Sequence, residues 1–236
     1  MFIPLEKMKN HILIGTLISI CLIVYSNQLV AQRSTESILS IGTRQGVNFS
    51  QILFFPPLKQ NLTMGYTGGL VVKYVSENYA GIQAEFNYSQ RGWTEKLDST
   101  RSYQRILNYY EIPIMSHFII GKKSTRAFIN IGPNLSFYHS GKEEFKLLRA
   151  GDTLSYYMRK LDRNFELGLV GGVGVTQITP IGDFQLEFRF HYGLQNIFSA
   201  NIETGLNRAQ NQLYGVTLTY FFIKKDFWAG KGKSRK

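Results

Sequence analysis

Cysteine is all but missing from this chain: the only one, Cys21, sits in an apolar run near the N-terminus, so the rest can form neither a disulfide nor a thiolate site. Histidine is scarce as well. Its four copies, His11, His117, His139 and His191, are scattered at spacings that suit no metal. No segment carries a sustained 3.6-residue apolar stripe, which argues against a helical bundle. No apolar run reaches the roughly 20 residues a membrane-spanning helix needs. The run "GLVGGVGV" lacks the Lys and Ser or Thr of a phosphate-binding loop and lies inside a strand pattern, so it is not read as one. Acids are outnumbered, 16 against 27 Lys and Arg, for a net charge of +11.

What the chain does have is aromatic residues (14%) and 22 glycines, a composition suited to β structure. The N-terminus places Lys7 and Lys9 before the apolar stretch Ile12 to Tyr25 and the small residue Ala31. That order is expected to be a secretory signal peptide, residues 1–31, cut after Ala31. At the other end, residues 223–236 hold Lys224, Lys225, Lys231, Lys233, Arg235 and Lys236 against Asp226, a basic tail expected in the periplasm. It is too short and too poor in aromatics to serve as a nucleic-acid platform; an electrostatic anchor or a partner contact is expected instead.

Between these ends, residues 32–222 read as one domain. Period-two alternation predicts eight strands, near 38–50, 63–76, 79–92, 105–119, 126–138, 164–176, 184–196 and 212–222. They are longer than soluble strands and close to the length a tilted membrane strand requires. The connections alternate long and short, as in outer-membrane barrels with long outer loops and short periplasmic turns, both termini being periplasmic. In "QLEFRFHYGL", Leu186, Phe188, Phe190, Tyr192 and Leu194 form one file, and Gln185, Glu187, Arg189, His191 and Gly193 the other.

Alternation alone does not say which file faces inward, because a soluble barrel alternates too. Glycine placement decides. Eleven glycines, among them Gly42, Gly46, Gly69, Gly132, Gly168, Gly172 and Gly193, fall on the polar file, against Gly68 and Gly171 on the apolar one. Small residues belong on the crowded concave face of an eight-stranded barrel. The apolar file, turned to water, would be an exposed patch far beyond what soluble monomers carry. The predicted fold is therefore all-β: an eight-stranded antiparallel up-and-down transmembrane β-barrel. Pro113 and Pro133, level across one hairpin, predict a local ladder gap or bulge.

The inward file carries Arg44, Lys73, Glu85, Arg91, Glu111, His117, Glu166, Glu187, Arg189 and His191. Buried charges need partners, so a network of ion pairs plugging the lumen is expected. Lumen polars solvated by trapped water, or an ion pathway, are the other readings of the same residues. A rim cluster of His139, Ser140, Glu143, Glu144 and Asp152 in a long loop 139–163 is the only candidate for acid–base work, and its spacing guarantees none. No catalytic, cofactor-binding or metal-ligating residue is assigned.

Six segments, "IGTRQGVNFS", "YYEIPIMSHF", "RAFINIGPNLSF", "ELGLVGGVGV", "FRFHYGLQNI" and "LYGVTLTYFF", resemble in this order the strands of the PorT-like outer-membrane β-barrel family of Bacteroidota-type bacteria. The resemblance covers nearly the whole chain after residue 31. It implies an eight-stranded outer-membrane barrel without attached catalytic residues, whose name-giving members are associated with type IX secretion. Such barrels usually end on an aromatic residue. Here Phe222 is followed by "IKKDFWAGKGKSRK", in which Phe227 and Trp228 are expected at the interface. The expected protein is non-enzymatic and works as an envelope or secretion-linked interaction module. Its expected partners are outer-membrane lipid and envelope or secretion proteins, not nucleic acid, and the barrel is expected to be monomeric. A narrow porin for small solutes and an outer-rim membrane enzyme are the alternatives.

Overall fold

The computed structural model describes residues 37–55, 57–77, 79–96, 101–121, 123–146, 161–198 and 208–226. The expected signal peptide, and the tail from residue 227 on, lie outside them. The strands are β1 (Ile38–Phe55), β2 (Gln60–Asn61), β3 (Thr63–Glu77), β4 (Ala80–Lys96), β5 (Ser102–Ile120), β6 (Thr125–Lys146), β7 (Phe165–Thr179), β8 (Gly182–Gly193) and β9 (Arg208–Asp226). Long strands pair antiparallel with their neighbours in order, and β1 closes on β9 from Ile38↔Asp226 to Phe55↔Arg208. The result is an eight-stranded barrel, with the two-residue β2 added on β4 at Gln60↔Glu95. Closure gives each of the eight long strands two partners, so the barrel wall has no free edge over the paired spans.

β8 shows how the wall sorts its side chains. Glu187, Arg189 and His191 are buried (0%, 7% and 5% exposed), whereas Leu186, Phe188 and Phe190 are 50%, 51% and 36% exposed. The polar file thus lines the bore and the apolar file covers the outside. Glycines follow the same division. A Cβ on Gly172 would strike the Glu187 carboxyl group and one on Gly168 the His191 ring, both within the bore. One on Gly171 would meet nothing nearer than the Asn130 carbonyl oxygen at 3.9 Å, as befits an outward position.

Aromatic residues bound the outer apolar band. Tyr88, Tyr110, Phe137 and Phe165 are successive register partners across β4 to β7 and form part of one girdle. Phe118, Phe222 and the stacked pair Phe184–Tyr220, with centroids 4.8 Å apart, belong to the other. Tyr110 to Phe118 and Tyr66 to Tyr74 are each eight residues along a strand. At ~3.3 Å per residue and a tilt of ~40°, that is a band of about 20 Å, close to the apolar height of outer-membrane barrels.

The strands continue well past one girdle, and several sequence-based boundaries move accordingly. Residues 139–146, expected in a loop, extend β6 and pair with β5 as far as Ser102↔Lys146. Likewise β1 runs to Phe55 and β4 to Lys96, shortening the outer connections. β9 does not stop at Phe222: after a bulge between Ile41 and Gly42 of β1, Ile223 to Asp226 keep pairing, so the first residues assigned to the tail belong to the wall. On the other side, β7 and β8 are joined by only Pro180 and Ile181, with Gly182 at a φ of 135°. Only glycine takes that conformation freely.

The prolines interrupt pairing as expected. β5–β6 skips from Pro113↔Asn134 to Ser116↔Ile131, and β4–β5 skips from Ala84↔Ile114 to Asn87↔Glu111. Each gap removes the demand for an N–H that proline lacks. β6–β7 runs through Pro133↔Leu169 unbroken, because the missing donor faces the other neighbour.

Candidate functional site: the filled bore

Below, the "turn end" is the end of the barrel with the short connections and the "loop end" the other. Side chains meet in the bore because inward positions of all eight long strands converge on a space just wide enough to be filled. The central layer is built on Glu85 of β4. Its Oε1 accepts from Arg189 Nη2 at 2.8 Å and Gln83 Nε2 at 2.7 Å. Its Oε2 accepts from Arg44 Nη1 at 2.5 Å, Arg189 Nη1 at 2.8 Å and Asn87 Nδ2 at 2.7 Å. Arg189 also donates to Glu187 Oε2 at 2.6 Å, and Asn130 donates to Glu187 Oε1 at 2.8 Å. Asn130 Oδ1 lies 2.6 Å from His117 Nδ1.

A second layer, nearer the loop end, is built on Arg91. Its guanidinium donates to Glu166 Oε1 at 3.0 Å, to Ser136 Oγ at 3.0 Å and to Glu111 Oε1, and lies 4.2 Å from the Tyr109 ring centroid. Glu166 accepts in turn from Asn211 Nδ2. Carboxylates and guanidiniums that satisfy one another in this way offset part of the large cost of leaving water. Between the layers is a cavity of about 20 Å³, room for one water, bordered by Arg44, Glu111, Arg189 and His191.

Of the ten inward residues singled out in the sequence, seven therefore meet in ion pairs: Arg44, Glu85, Arg91, Glu111, Glu166, Glu187 and Arg189. Three stand outside them. His117 joins through Asn130, and neither ring nitrogen of His191 bonds to a described residue. Among the described residues, Lys73 Nζ reaches only Gln185 Oε1, at 3.3 Å, and the Phe221 ring at 4.0 Å.

Above the second layer the bore changes character. Ile52, Phe54, Trp93, Tyr103, Leu107, Tyr109, Ile197, Phe198 and Ala209 form a buried apolar cluster at the loop end. Trp93 is at its centre, with Phe54, Tyr103 and Phe198 at ring-centroid distances of 5.6, 6.1 and 6.4 Å, and its Nε1 donates to Glu95 at 2.7 Å. Arg105 caps the cluster, its guanidinium 5.7 Å from the Trp93 ring and paired with Glu143 at 3.2 Å. This plug was not anticipated. Trp93, Leu107 and Tyr109 share the parity of Arg91 and Glu111, so extending the inward file would have found them.

The rim cluster is dispersed. A bulge between Asn108 and Tyr109 leaves His139 unpaired in register, and its exposed ring sits 5.2 Å from that of outward-facing Tyr110. Ser140 accepts from Asn108 Nδ2 at 3.0 Å, Glu143 faces Arg105, and Glu144 accepts from Lys142 at 2.6 Å. Asp152 lies outside the described residues. Among the described residues no group of three or more His, Cys, Asp or Glu is arranged to hold a metal.

Among solved structures, the chain is similar to the attachment invasion locus protein Ail of Yersinia pestis (14% identity, 80% of this chain and 100% of that one, TM-score 0.41). It is also similar to the outer membrane protein OprG of Pseudomonas aeruginosa (10%, 83% and 98%, TM-score 0.42) and to the outer membrane enzyme PagL (9%, 77% and 97%, TM-score 0.40). No curated protein matches it by sequence. The family model described as "Outer membrane protein beta-barrel domain" matches residues 30–199, from before β1 to beyond β8. With that match and a closed wall that is apolar outside and charged within, the chain belongs to the outer membrane protein beta-barrel domain family.

Proposed function

We propose that this protein is a sealed, non-catalytic outer-membrane barrel that acts through its surfaces, as an envelope interaction module of the PorT-like, secretion-linked kind. The observation that carries the reading is the double closure of the bore. Ion-paired layers fill its middle, and the Trp93 cluster fills its loop end. Over the described residues a bore so filled leaves no aqueous path, which speaks against a narrow porin. Among the described residues, with His139 turned outward and Glu143 and Glu144 already paired, the rim lacks a positioned acid–base couple.

In this reading both termini are periplasmic and the extended loop-end wall stands outside the cell. Contacts with envelope or secretion partners are made by that wall and by the basic residues after β9. Planar-bilayer recording tests the sealed bore: no steady conductance is expected, and a reproducible open level would establish the porin alternative. Co-purification from native envelopes, with the C-terminal residues present or removed and with the exposed loop-end residues intact or substituted, tests the interaction role. A partner set indifferent to both the tail and the loop end would contradict it.

A further inference from the structure

The turn-end mouth of the bore holds a cavity of about 50 Å³; Lys73, Arg126, Lys224, Asp183, Ser40 and Thr176 form its polar side, and apart from His117 the rest of its lining is apolar. Its charges are lopsided: Lys73, Arg126 and Lys224 against Asp183 alone. The layers above it are differently built, since every guanidinium there meets a carboxylate.

Lys73 is the anomaly. Its side chain is buried, the residue being only 5% exposed, and among the described residues no carboxylate lies within ion-pair distance. Among the described residues its one hydrogen bond is the long one to Gln185, so two of its three N–H donors have no acceptor, the Phe221 ring being the other near neighbour. A buried ammonium without a counter-charge is costly, and the cost is removed either by loss of its proton or by an anionic or strongly polar partner.

The other cations also have donors to spare. Arg126 donates its Nε to the Lys123 carbonyl at 3.0 Å, and its Nη groups bond to no described residue. Lys224 has Asp183 Oδ2 at 3.2 Å as its one acceptor among the described residues. A guanidinium fork and two ammonium groups around one small cavity, with the Ser40 and Thr176 hydroxyls beside them, match the several oxygens of a tetrahedral oxyanion.

We propose that the turn-end mouth is an oxyanion site for a phosphate group, with Lys73 as its innermost ligand and Arg126 and Lys224 closing over it. The phosphate could be free or carried by a lipid headgroup of the adjacent leaflet, since the mouth opens level with the Phe184–Tyr220 girdle.

The test uses the full chain refolded in a sugar-headed detergent that contains no phosphate. Inorganic phosphate is titrated against chloride at equal ionic strength, reading the amide shifts of Lys73, Thr176 and Lys224 by NMR. Saturable shifts specific to phosphate are expected. Lys73→Met and, separately, Arg126→Gln should each weaken binding about tenfold or more, the usual worth of a charge-assisted contact. Lys142→Gln, at the loop end, should leave it unchanged.

Arg126 lies at the mouth, so its variant keeps the test valid even if Lys73→Met fails to fold. Nanodiscs of phosphatidylglycerol, without added phosphate, then separate the sources. The same shifts there assign a lipid headgroup, and their appearance only with added phosphate assigns a free anion. Shifts that chloride reproduces, or that Arg126→Gln leaves intact, would overturn the site.

Discussion

Arg189 and Glu85 meet across the bore as a bidentate pair, both N–O distances being 2.8 Å, although 104 residues separate them in the chain. The pair ties β8 to β4 on the far side of the barrel. Arg44 shares the same carboxylate from β1, so one side chain holds three strands in register.

Glu85→Gln is expected to leave two buried guanidiniums short of charge and to cost roughly 3–5 kcal/mol. Glu187→Gln should cost clearly less, because Arg189 keeps both bonds to Glu85. Urea unfolding in micelles, followed by heat-modifiable gel mobility, ranks the two variants. Equal losses would mean that the central layer is not organised on Glu85.

Gly132 and Gly171 sit on adjacent strands and should respond oppositely to alanine. A Cβ at Gly132 would fall on the Ile114 carbonyl and lie 2.8 Å from Met115 Cα, both immobile backbone atoms. Gly132→Ala is expected to lose about 1–3 kcal/mol by overpacking. Gly171→Ala, whose Cβ enters open space, should be neutral or gain up to about 1 kcal/mol from the lost glycine entropy. The same unfolding assay checks both.

Trp93 anchors the loop-end plug, and Trp228 is the only other tryptophan. In a Trp228→Phe background the remaining fluorescence should resist acrylamide, because Trp93 is fully buried. Trp93→Ala should cost about 3–5 kcal/mol and free Glu95 from its indole donor. Ready quenching of Trp93 would show that the plug does not form.

Phe188 lies on the outer face between Val173 and Val216, well inside the apolar band. Phe188→Arg should cost about 2–4 kcal/mol of membrane stability, as for a basic residue near the bilayer midplane. Lys142→Glu, beyond the girdle and exposed, should change little. Folding yields into liposomes compare them.

The sequence disclosed the wall more readily than the plug, for a physical reason. Leu186 to Leu194 alternates without interruption, and two solvents, lipid outside and a crowded polar bore inside, act on its two files along the whole span. Glycine crowding then told inside from outside. Past the girdle neither of those surroundings remains. Water meets Gln51, Gln90, Asn108 and Gln212 on the outside, while Ile52, Phe54, Trp93 and Leu107 turn inward, so the polarity of the wall reverses with parity intact.

Polarity was the cue that ended the predicted strands, and the reversal therefore looked like loop. His139 was misplaced for a related reason: a single bulge residue shifts parity, and nothing in the composition of "FYHSGK" marks where the extra residue falls. Pro113 and Pro133 were legible, because a missing N–H has one consequence in a ladder wherever it occurs. Partners inside the bore were legible as a set but not as pairs, since pairing across the bore depends on the stagger of all eight strands.

The central claim is that apolar side chains outside the wall touch lipid while those within the bore do not. Methyl NMR of the unmodified protein in nanodiscs reads this directly, through contacts between acyl-chain protons and valine or leucine methyls. Leu169, Val173, Leu186, Val216 and Leu218 should show such contacts, and Val71, Leu107 and Val170 should show none. Acyl-chain contacts to the second group and not to the first would contradict the account.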